Sequence, residues 1–342
     1  MTTRDHREIA ITGCGWVTPV AAGSITDILS AASAEAVSPA PRGVYRAVPE
    51  GHLAPCADLS TEIKRDHGAW MTAAALTHAC RTAGIELSAF SGDRVGLVLG
   101  CGLAGQLGMI AFANEVREQS PRFVSPIHFP QTVGNYIAGA LARGCDIRGP
   151  NLTLASGIAS SLDALTEGCR ILTSRRADVV LAGGVEVLLD SLAQGLRETG
   201  TTLSEGSCLF VLERRPDAEQ RGAEVLALLA RDGPDATTGS APSTTGTRPS
   251  LVSTAGFREV GAVYVEHAIG RCVGAAGAAA VAAAIGAARG AVVPVVKDGG
   301  LTELQELCVP STGDSDGHVT ALVEAREGES SQRALAFSIL LH

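Results

Sequence analysis

The stretch from Arg148 to Glu186 limits what this chain can fold into more than any other part of it. Residues 151–154 are a short apolar run after a glycine–proline turn, which is typical of a buried strand. Apolar residues then recur at helical spacing over residues 158–172, and residues 178–182 form a second apolar run that Gly183-Gly184 should end. Strand, turn, helix and strand in this order predict a βαβ unit, and hence an α/β protein.

The composition of the chain is that of an ordinary globular protein. Its 342 residues are enough for a large core in one or two domains. Hydrophobic residues make up 46% and aromatic residues only 4%, so that small residues must pack helices closely against buried strands. The net charge of −9 argues against nucleic-acid binding. Neither a signal peptide nor a membrane-spanning run is recognisable, and we expect a cytoplasmic protein.

The nine cysteines and eight histidines are scattered through the sequence, and the cysteines form no CxxC pair. An odd number of separated cysteines is typical of reduced thiols in the core of a cytosolic protein. The scattering also gives none of the short ligand spacings of a zinc site. We therefore expect neither a metal nor a cofactor.

The rest of the chain alternates short apolar runs with stretches of helical periodicity. Further strands are predicted at residues 9–11, 94–99, 208–212, 225–229, 261–265, 318–323 and 335–341. Further helices are predicted at residues 25–32, 60–83, 103–116, 131–143 and 214–221. Residues 232–256 are rich in Gly, Pro, Ser and Thr without any periodicity, which predicts a flexible linker.

Short motifs in and before the βαβ unit are more specific than its periodicity. They are Pro126, Pro130, Thr132, Asn135, Ala138-Gly139, Leu141, Gly149-Pro150, Ser160, Arg170, Ala177-Asp178, Ala182-Gly183-Gly184 and Glu186. In these motifs the chain resembles the β-ketoacyl synthase family, the thiolase-fold condensing enzymes of fatty-acid and polyketide synthesis. The resemblance implies a thiolase-like α/β fold, in which duplicated βαβ halves form α-β-α-β-α layers. The N-terminal half would occupy residues 1–213 and a shortened C-terminal half residues 214–342, as one compact unit.

In active ketosynthases a cysteine opens the helix of this unit, where the helix N-terminus stabilises a thiolate and backbone N–H groups can hold an oxyanion. The resemblance places Ile158 at that position, and isoleucine has no nucleophile. In the segment GRCVGAAGA, Arg271 stands in the position of one of the two catalytic histidines. The motif of the other histidine is missing, unless His267 is its compressed remnant. We therefore predict no residues for an autonomous condensation reaction.

Chain-length factors, the β subunits of type II polyketide ketosynthases, are the branch of the family that the chain resembles most in character. They have lost the cysteine and commonly carry arginine where this chain has Arg271, although most have glutamine at the position of Ile158. The resemblance implies a silent subunit that forms a heterodimer with an active ketosynthase and meets acyl carrier protein only through that partner. Such a subunit shapes the tunnel for the growing acyl chain. The matching tunnel positions are Leu103, Gln106, Met109, Ile110, Phe112, Phe129 and Tyr136.

Three alternatives stay open from the sequence. Each tunnel position could be ordinary core packing. The chain could be a stand-alone thiolase-fold hydrolase or acyltransferase that uses His267 or one of the serines Ser156, Ser160 and Ser161. It could also be a structural remnant without a role in any tunnel. Thioester turnover by the isolated protein would identify the second alternative, and an unchanged product profile after its deletion would identify the third.

Overall fold

A computed structural model of the chain describes most of its N-terminal two thirds and separate segments of the remainder. The described residues are 9–36, 45–56, 61–64, 66–103, 105–119, 121–124, 126, 128–188, 203–230, 250–253, 269, 272–288, 293–297, 300–304, 319–324 and 337–341. The strands are β1 (Ile9–Val17), β2 (Ala22–Gly23), β3 (Tyr45–Arg46), β4 (Val95–Cys101), β5 (Asn151–Leu154), β6 (Val179–Glu186), β7 (Leu203–Ser204), β8 (Gly206–Arg214), β9 (Ala227–Ala230), β10 (Ser250–Ser253), β11 (Val293–Lys297), β12 (Gly300–Leu304), β13 (Val319–Glu324) and β14 (Phe337–Leu341). The helices are α1 (Ile25–Ala36), α2 (Thr61–Lys64), α3 (His67–Ala83), α4 (Gln106–Gln119), α5 (Tyr136–Gly144), α6 (Ser160–Thr173), α7 (Arg215–Gln220) and α8 (Ala276–Ala288).

Most of these strands belong to one mixed ten-stranded sheet. Its order is β10-β13-β14-β9-β1-β8-β6-β4-β5, and β2 pairs with β1. Strands β4, β5 and β6 are parallel, as a βαβ unit requires, whereas β8 runs antiparallel to both β6 and β1. The predicted α/β class and βαβ unit are therefore confirmed, and β5 is the last of the described strands on its side of the sheet.

Helices cover both faces of the sheet, so successive residues of a strand enter different cores. Leu97 of β4 packs with α3 and α5 on one face, whereas the next residue, Val98, packs with α1, α6 and α8 on the other. All residues of β1, β6 and β8 are buried. This explains why these strands are continuous apolar runs without alternation.

Small residues bring α3 into close contact with the sheet. Asp66 caps the start of the helix by accepting a hydrogen bond from the backbone N–H of Ala69 at 2.8 Å, and Gly84 ends it in the left-handed conformation. A Cβ atom on Gly15 of β1 would overlap the carbonyl oxygen of Ala75 in α3. The abundance of glycine and alanine therefore reflects close contact between helix and strand.

Several predicted boundaries are wrong. Strand β6 runs through Gly183-Gly184 to Glu186, because both glycines keep their pairing with β8, and a Cβ on Gly183 would overlap the carbonyl oxygen of Cys208. Residues 250–253, within the predicted linker, instead form β10, which pairs in parallel with β13. The rest of that linker that was predicted without structure, and the predicted strand at 261–265, lie outside the described residues. The division into halves at residue 213 stays a prediction.

Candidate functional site

The corner that precedes α6 contains Ile158, the position at which the sequence predicts a lost nucleophile. It is a 3₁₀ turn over Gly157–Ala159, and hydrogen bonds of the Ser160 hydroxyl stabilise it. The Ser160 hydroxyl donates to the carbonyl oxygen of Gly157 at 2.6 Å and accepts from the backbone N–H of Ser156 at 2.9 Å. The backbone of Ile158 lies within this turn, but its side chain is outside what the structure describes.

A second 3₁₀ turn, Val273–Ala275, precedes α8 and contacts the first one. Ser161 joins the two helices, because its hydroxyl accepts a hydrogen bond from the backbone N–H of Ala278 at 3.0 Å. Both turns lie at the carboxyl ends of β4 and β6, where an α/β protein places its site. Arg271 and His267 lie outside the described residues, so their predicted roles stay predictions.

Glu186, at the end of β6, is a fully buried carboxyl group beside these turns. Its Oε1 accepts from the backbone N–H of Leu103 at 3.0 Å, and its Oε2 accepts from those of Gly102 at 3.1 Å and Gly274 at 2.9 Å. Burial raises the pKa of Glu186 to about 7, against the opposing effect of these N–H groups. The sequence marks Glu186 only as part of a family motif, and nothing in its spacing indicates this arrangement.

Two thiols lie next to this carboxyl group. Cys101 Sγ is 3.8 Å from Oε1 of Glu186, and the thiol of Cys272 donates to the carbonyl oxygen of Gly206 at 3.4 Å. Burial raises the pKa of both thiols well above their ordinary value. They are therefore protonated and unreactive, and neither replaces the missing nucleophile. Within the described ranges, no three side chains of His, Cys, Asp or Glu are grouped to hold a metal ion.

The serines of the corner have structural partners. Ser160 and Ser161 are fully buried, and their hydroxyl groups are bound to backbone groups. The imidazoles of His67 and His128 pair with Glu205 and Glu115, at 3.0 and 2.9 Å. These contacts give neither serine an activating base, which a serine nucleophile requires.

The predicted tunnel positions lie on or beside α4, and the structure leaves several of them open to solvent. No residue of α4 is buried: Met109 is 56% and Ile110 42% exposed. Phe129, in the turn Phe129–Thr132, is 58% exposed, and its ring contacts that of Phe112 edge to face, with centroids 5.7 Å apart. Core packing, the alternative for these positions, is therefore wrong for Met109, Ile110 and Phe129.

The remaining predicted positions connect α4 to the body of the protein. Leu103 binds Glu186 through its backbone N–H, Gln106 is exposed at the start of α4, and Tyr136 is half-buried at the start of α5. The structure thus groups Phe112 with Phe129 and places Leu103 beside the carboxyl group. Whether these side chains line a tunnel stays a prediction.

The exposed large hydrophobic side chains of the described residues all fall between positions 107 and 152. Helix α4 packs against the turn Phe129–Thr132, that turn contacts α5, and α5 contacts β5. We call this group of side chains the apolar surface. Asn151 and Leu152 of β5 are also exposed, so this side of the molecule ends in a strand edge. The members of the apolar surface are Leu107, Met109, Ile110, Phe123, Phe129, Val133 and Leu152.

Exposed apolar groups of this kind mark a binding surface. An unpaired strand edge adds backbone donors and acceptors that a second chain can pair with. No helix in the part of the chain that the structure describes has the length and apolar character to cross a membrane. The geometry therefore defines a thiolase-like α/β protein whose central thiols are buried and whose α4–β5 side exposes apolar side chains.

Comparisons with known proteins agree with this class. The family model described as "Beta-ketoacyl synthase, N-terminal domain" matches residues 57–209. The 3-oxoacyl-[acyl-carrier-protein] synthase 2 of Vibrio cholerae is 28% identical over 214 residues, which cover 55% of this chain and 51% of that protein. The enzyme of the same name from Coxiella burnetii is 23% identical over 256 residues, which cover 65% of this chain and 62% of that protein.

Two solved structures share the fold over almost the whole chain. One is described as a type II PKS acyl-carrier protein in complex with its ketosynthase bound to the hexaketide; it has a TM-score of 0.73 at 14% identity and covers 98% of this chain and 99% of its own. The other is the ishigamide ketosynthase/chain length factor, with a TM-score of 0.72 at 16% identity and the same coverage. The resemblance to β-ketoacyl synthases is thus confirmed, and it rests on the match of residues 57–209 to the model of that family's N-terminal domain. The chain spans about half the length of the Vibrio relative.

Proposed function

We propose that this chain is a catalytically silent ketosynthase-like subunit, of the chain-length-factor type, that pairs with an active β-ketoacyl synthase. In this role it contributes the apolar surface to the wall or floor of an acyl tunnel in type II polyketide or related biosynthesis. The observation that carries the proposal is the concentration of exposed apolar side chains between residues 107 and 152, next to the edge strand β5. Exposed apolar side chains grouped in this way mark an interaction surface.

The residues at the centre of the fold support the proposal that the chain has no catalytic activity of its own. Ile158 occupies the turn that would carry a nucleophile, and the neighbouring Ser160 and Ser161 are held by backbone groups. The buried thiols of Cys101 and Cys272 are protonated. Chemistry in the complex would then belong to the partner, which would also receive the acyl carrier protein.

The composition of the apolar surface favours another ketosynthase-like chain as partner. Its exposed members are Phe, Met, Leu, Ile and Val side chains, and aromatic residues and Met are enriched in protein interfaces. The strand edge at Leu152 calls for a partner that offers a strand of its own. A ketosynthase with a corresponding edge meets both requirements. The ishigamide neighbour bears the name of both a ketosynthase and a chain length factor, which supports this kind of partner.

Co-expression with a cysteine-bearing ketosynthase tests the proposal. We expect the two chains to co-purify at a one-to-one ratio and the pair, but not this chain alone, to elongate acyl-carrier-protein thioesters. Met109→Lys places a charge within the apolar surface and should abolish co-purification. Ala89→Asp, at an exposed position outside that surface, is the control and should have no effect. A stable monomer that ignores every such partner would contradict the proposal.

The tunnel role has its own test. Met109→Ala and Phe112→Ala remove volume from α4, and each should lengthen the products of the reconstituted pair if these side chains close the tunnel. An unchanged product profile would remove both residues from the tunnel and leave them as docking residues only. Thioester turnover by the isolated chain would favour the alternative of a stand-alone hydrolase or acyltransferase.

A further inference from the structure

We propose that the carboxylate of Glu186 is a positioning residue that fastens the segment leading into α4 to the turn Val273–Ala275, by occupying an anion-binding nest of backbone N–H groups. This inference depends on the proposed function in one respect only, namely that α4 is a helix to which the partner docks. We call the hydrogen bonds between Glu186 and these N–H groups the latch. The latch involves this chain only, and it can be tested without a partner.

The three donors come from segments that are far apart in the sequence. Gly102 and Leu103 follow β4 and lead into α4, whereas Gly274 lies in the turn before α8. Oε2 of Glu186 accepts from both segments at once, at 3.1 Å and 2.9 Å. One carboxylate oxygen therefore bridges the two segments, and charge-assisted bonds of this kind are the strong ones.

Glycine at positions 102 and 274 makes this convergence possible. A Cβ atom on Gly102 would lie 2.5 Å from Oε2 of Glu186. A Cβ atom on Gly274 would lie 2.6 Å from the backbone nitrogen of Gly102 and 2.5 Å from the carbonyl oxygen of Val185. All three distances are below those of real Cβ contacts, so a side chain at either position would separate the donors from the carboxylate.

Among the described residues, no cation is found to act on Glu186 in place of the backbone donors. Among the described groups, Cys101 lies on β4 and Cys272 precedes the turn, and Asp66 and Glu205 act on these thiols from further away. The N–H groups of Gly274, Leu103 and Gly102, together with that of the adjacent Val187, favour the charged form. Peptide dipoles in a nest can hold an anion in this way.

Helix α4 depends on this attachment because it buries none of its own residues. Helix α4 also packs against the turn Phe129–Thr132, where a Cβ on Gly105 would lie 2.7 Å from the carbonyl oxygen of Thr132. The position of α4 is therefore set at its N-terminal end by Glu186 and along its side by that turn. Loss of the carboxylate should release the first constraint and leave the second.

Amide hydrogen exchange of three variants at pH 8 tests this latch. Glu186→Ala removes the anion, and exchange over residues 102–119 and 272–288 should accelerate about tenfold or more, as the loss of one charged hydrogen bond predicts. Added formate carries the same carboxylate into the nest and should restore slow exchange in both segments. Glu186→Gln keeps the volume of the side chain but turns an NH₂ group towards one of the N–H donors. Its exchange should therefore accelerate as in Glu186→Ala, and formate should not restore slow exchange, because the amide still fills the nest.

Glu205→Gln is the matched control, since Glu205 is a second buried carboxyl group that accepts from the backbone N–H of Val48 at 3.2 Å and pairs with His67. In Glu205→Gln, amide hydrogen exchange should accelerate over residues 45–53 and stay unchanged in α4. Unaltered exchange in α4 of Glu186→Ala, or an equal rise across the whole sheet in Glu186→Gln, would overturn the latch. If Glu186→Ala folds only with formate, the proposal holds; if it does not fold at all, Glu186→Gln decides by the same measurement.

Partner binding separates this inference from the proposed function. Glu186→Ala could show accelerated exchange confined to the two segments and restored by formate, yet bind the ketosynthase with unchanged affinity. This result would keep the latch and refute docking through α4. Weakened affinity without any change in exchange would refute the latch and keep the docking.

Discussion

Truncation of Phe129 measures how much the apolar surface contributes to binding. The side chain is 58% exposed, and a phenylalanine buries about 150–250 Å², so that docking would remove about 115 Å² of its surface from water. At about 25 cal/mol per Å², this corresponds to roughly 3 kcal/mol. We therefore expect Phe129→Ala to raise the dissociation constant of the complex about 100-fold.

The contact between Phe129 and Phe112 does not enter this difference, because the free chain and the complex both lose it. Titration calorimetry of the purified pair gives both the affinity and the heat-capacity change. The heat-capacity change should become less negative in the variant, since less apolar surface is buried. Glu118→Ala, which shortens an exposed polar side chain of α4, the helix that packs against the turn of Phe129, is the control and should change the affinity by no more than about threefold.

Two results would refute this reasoning. One is an unchanged affinity of Phe129→Ala with the circular dichroism of the free chain preserved. The other is an equal loss in Glu118→Ala, which would show that the helix, rather than its apolar area, limits binding. In either case the exposed side chains at 107–152 would need another explanation.

Three further outcomes follow from the structure. Gly15→Ala should destabilise the fold by about 3 kcal/mol or more in denaturant unfolding, because its Cβ overlaps backbone atoms of α3, whereas Gly51→Ala, with open space around it, should stay within about 0.5 kcal/mol. Burial raises the pKa of Glu186 from 4.5 to about 7, because ionising this carboxyl group costs more in the fold than in water; the free energy of unfolding should therefore fall by roughly 3 kcal/mol as the pH rises from about 4.5 through about 7, and Glu186→Gln should remove this pH dependence. Ile158→Cys alone should give no condensing activity, since Arg271 stands in the position of a catalytic histidine, and measurable product from the purified variant would contradict this.

The sequence predicts elements well where their patterns are local. The strand predicted at residues 151–154 is β5 to the residue, and Gly84 ends α3 as expected. Predictions fail where a contact between distant segments decides the outcome. Gly183-Gly184 would end an isolated strand, but pairing with β8 carries β6 past them. The helix predicted at residues 60–83 is divided because Asp66 caps α3.

The sequence by itself determined the α/β class and the βαβ unit, because both depend on residue type and local spacing, whereas the role predicted for Ile158 rests on the resemblance to ketosynthases. Only the tertiary structure decided which apolar side chains face solvent. Helical periodicity marks α4 as apolar without saying whether the core or a partner covers it, since burial depends on what packs against the helix. The same holds for Glu186, whose partners are backbone N–H groups that almost any residue carries and that only folding brings together.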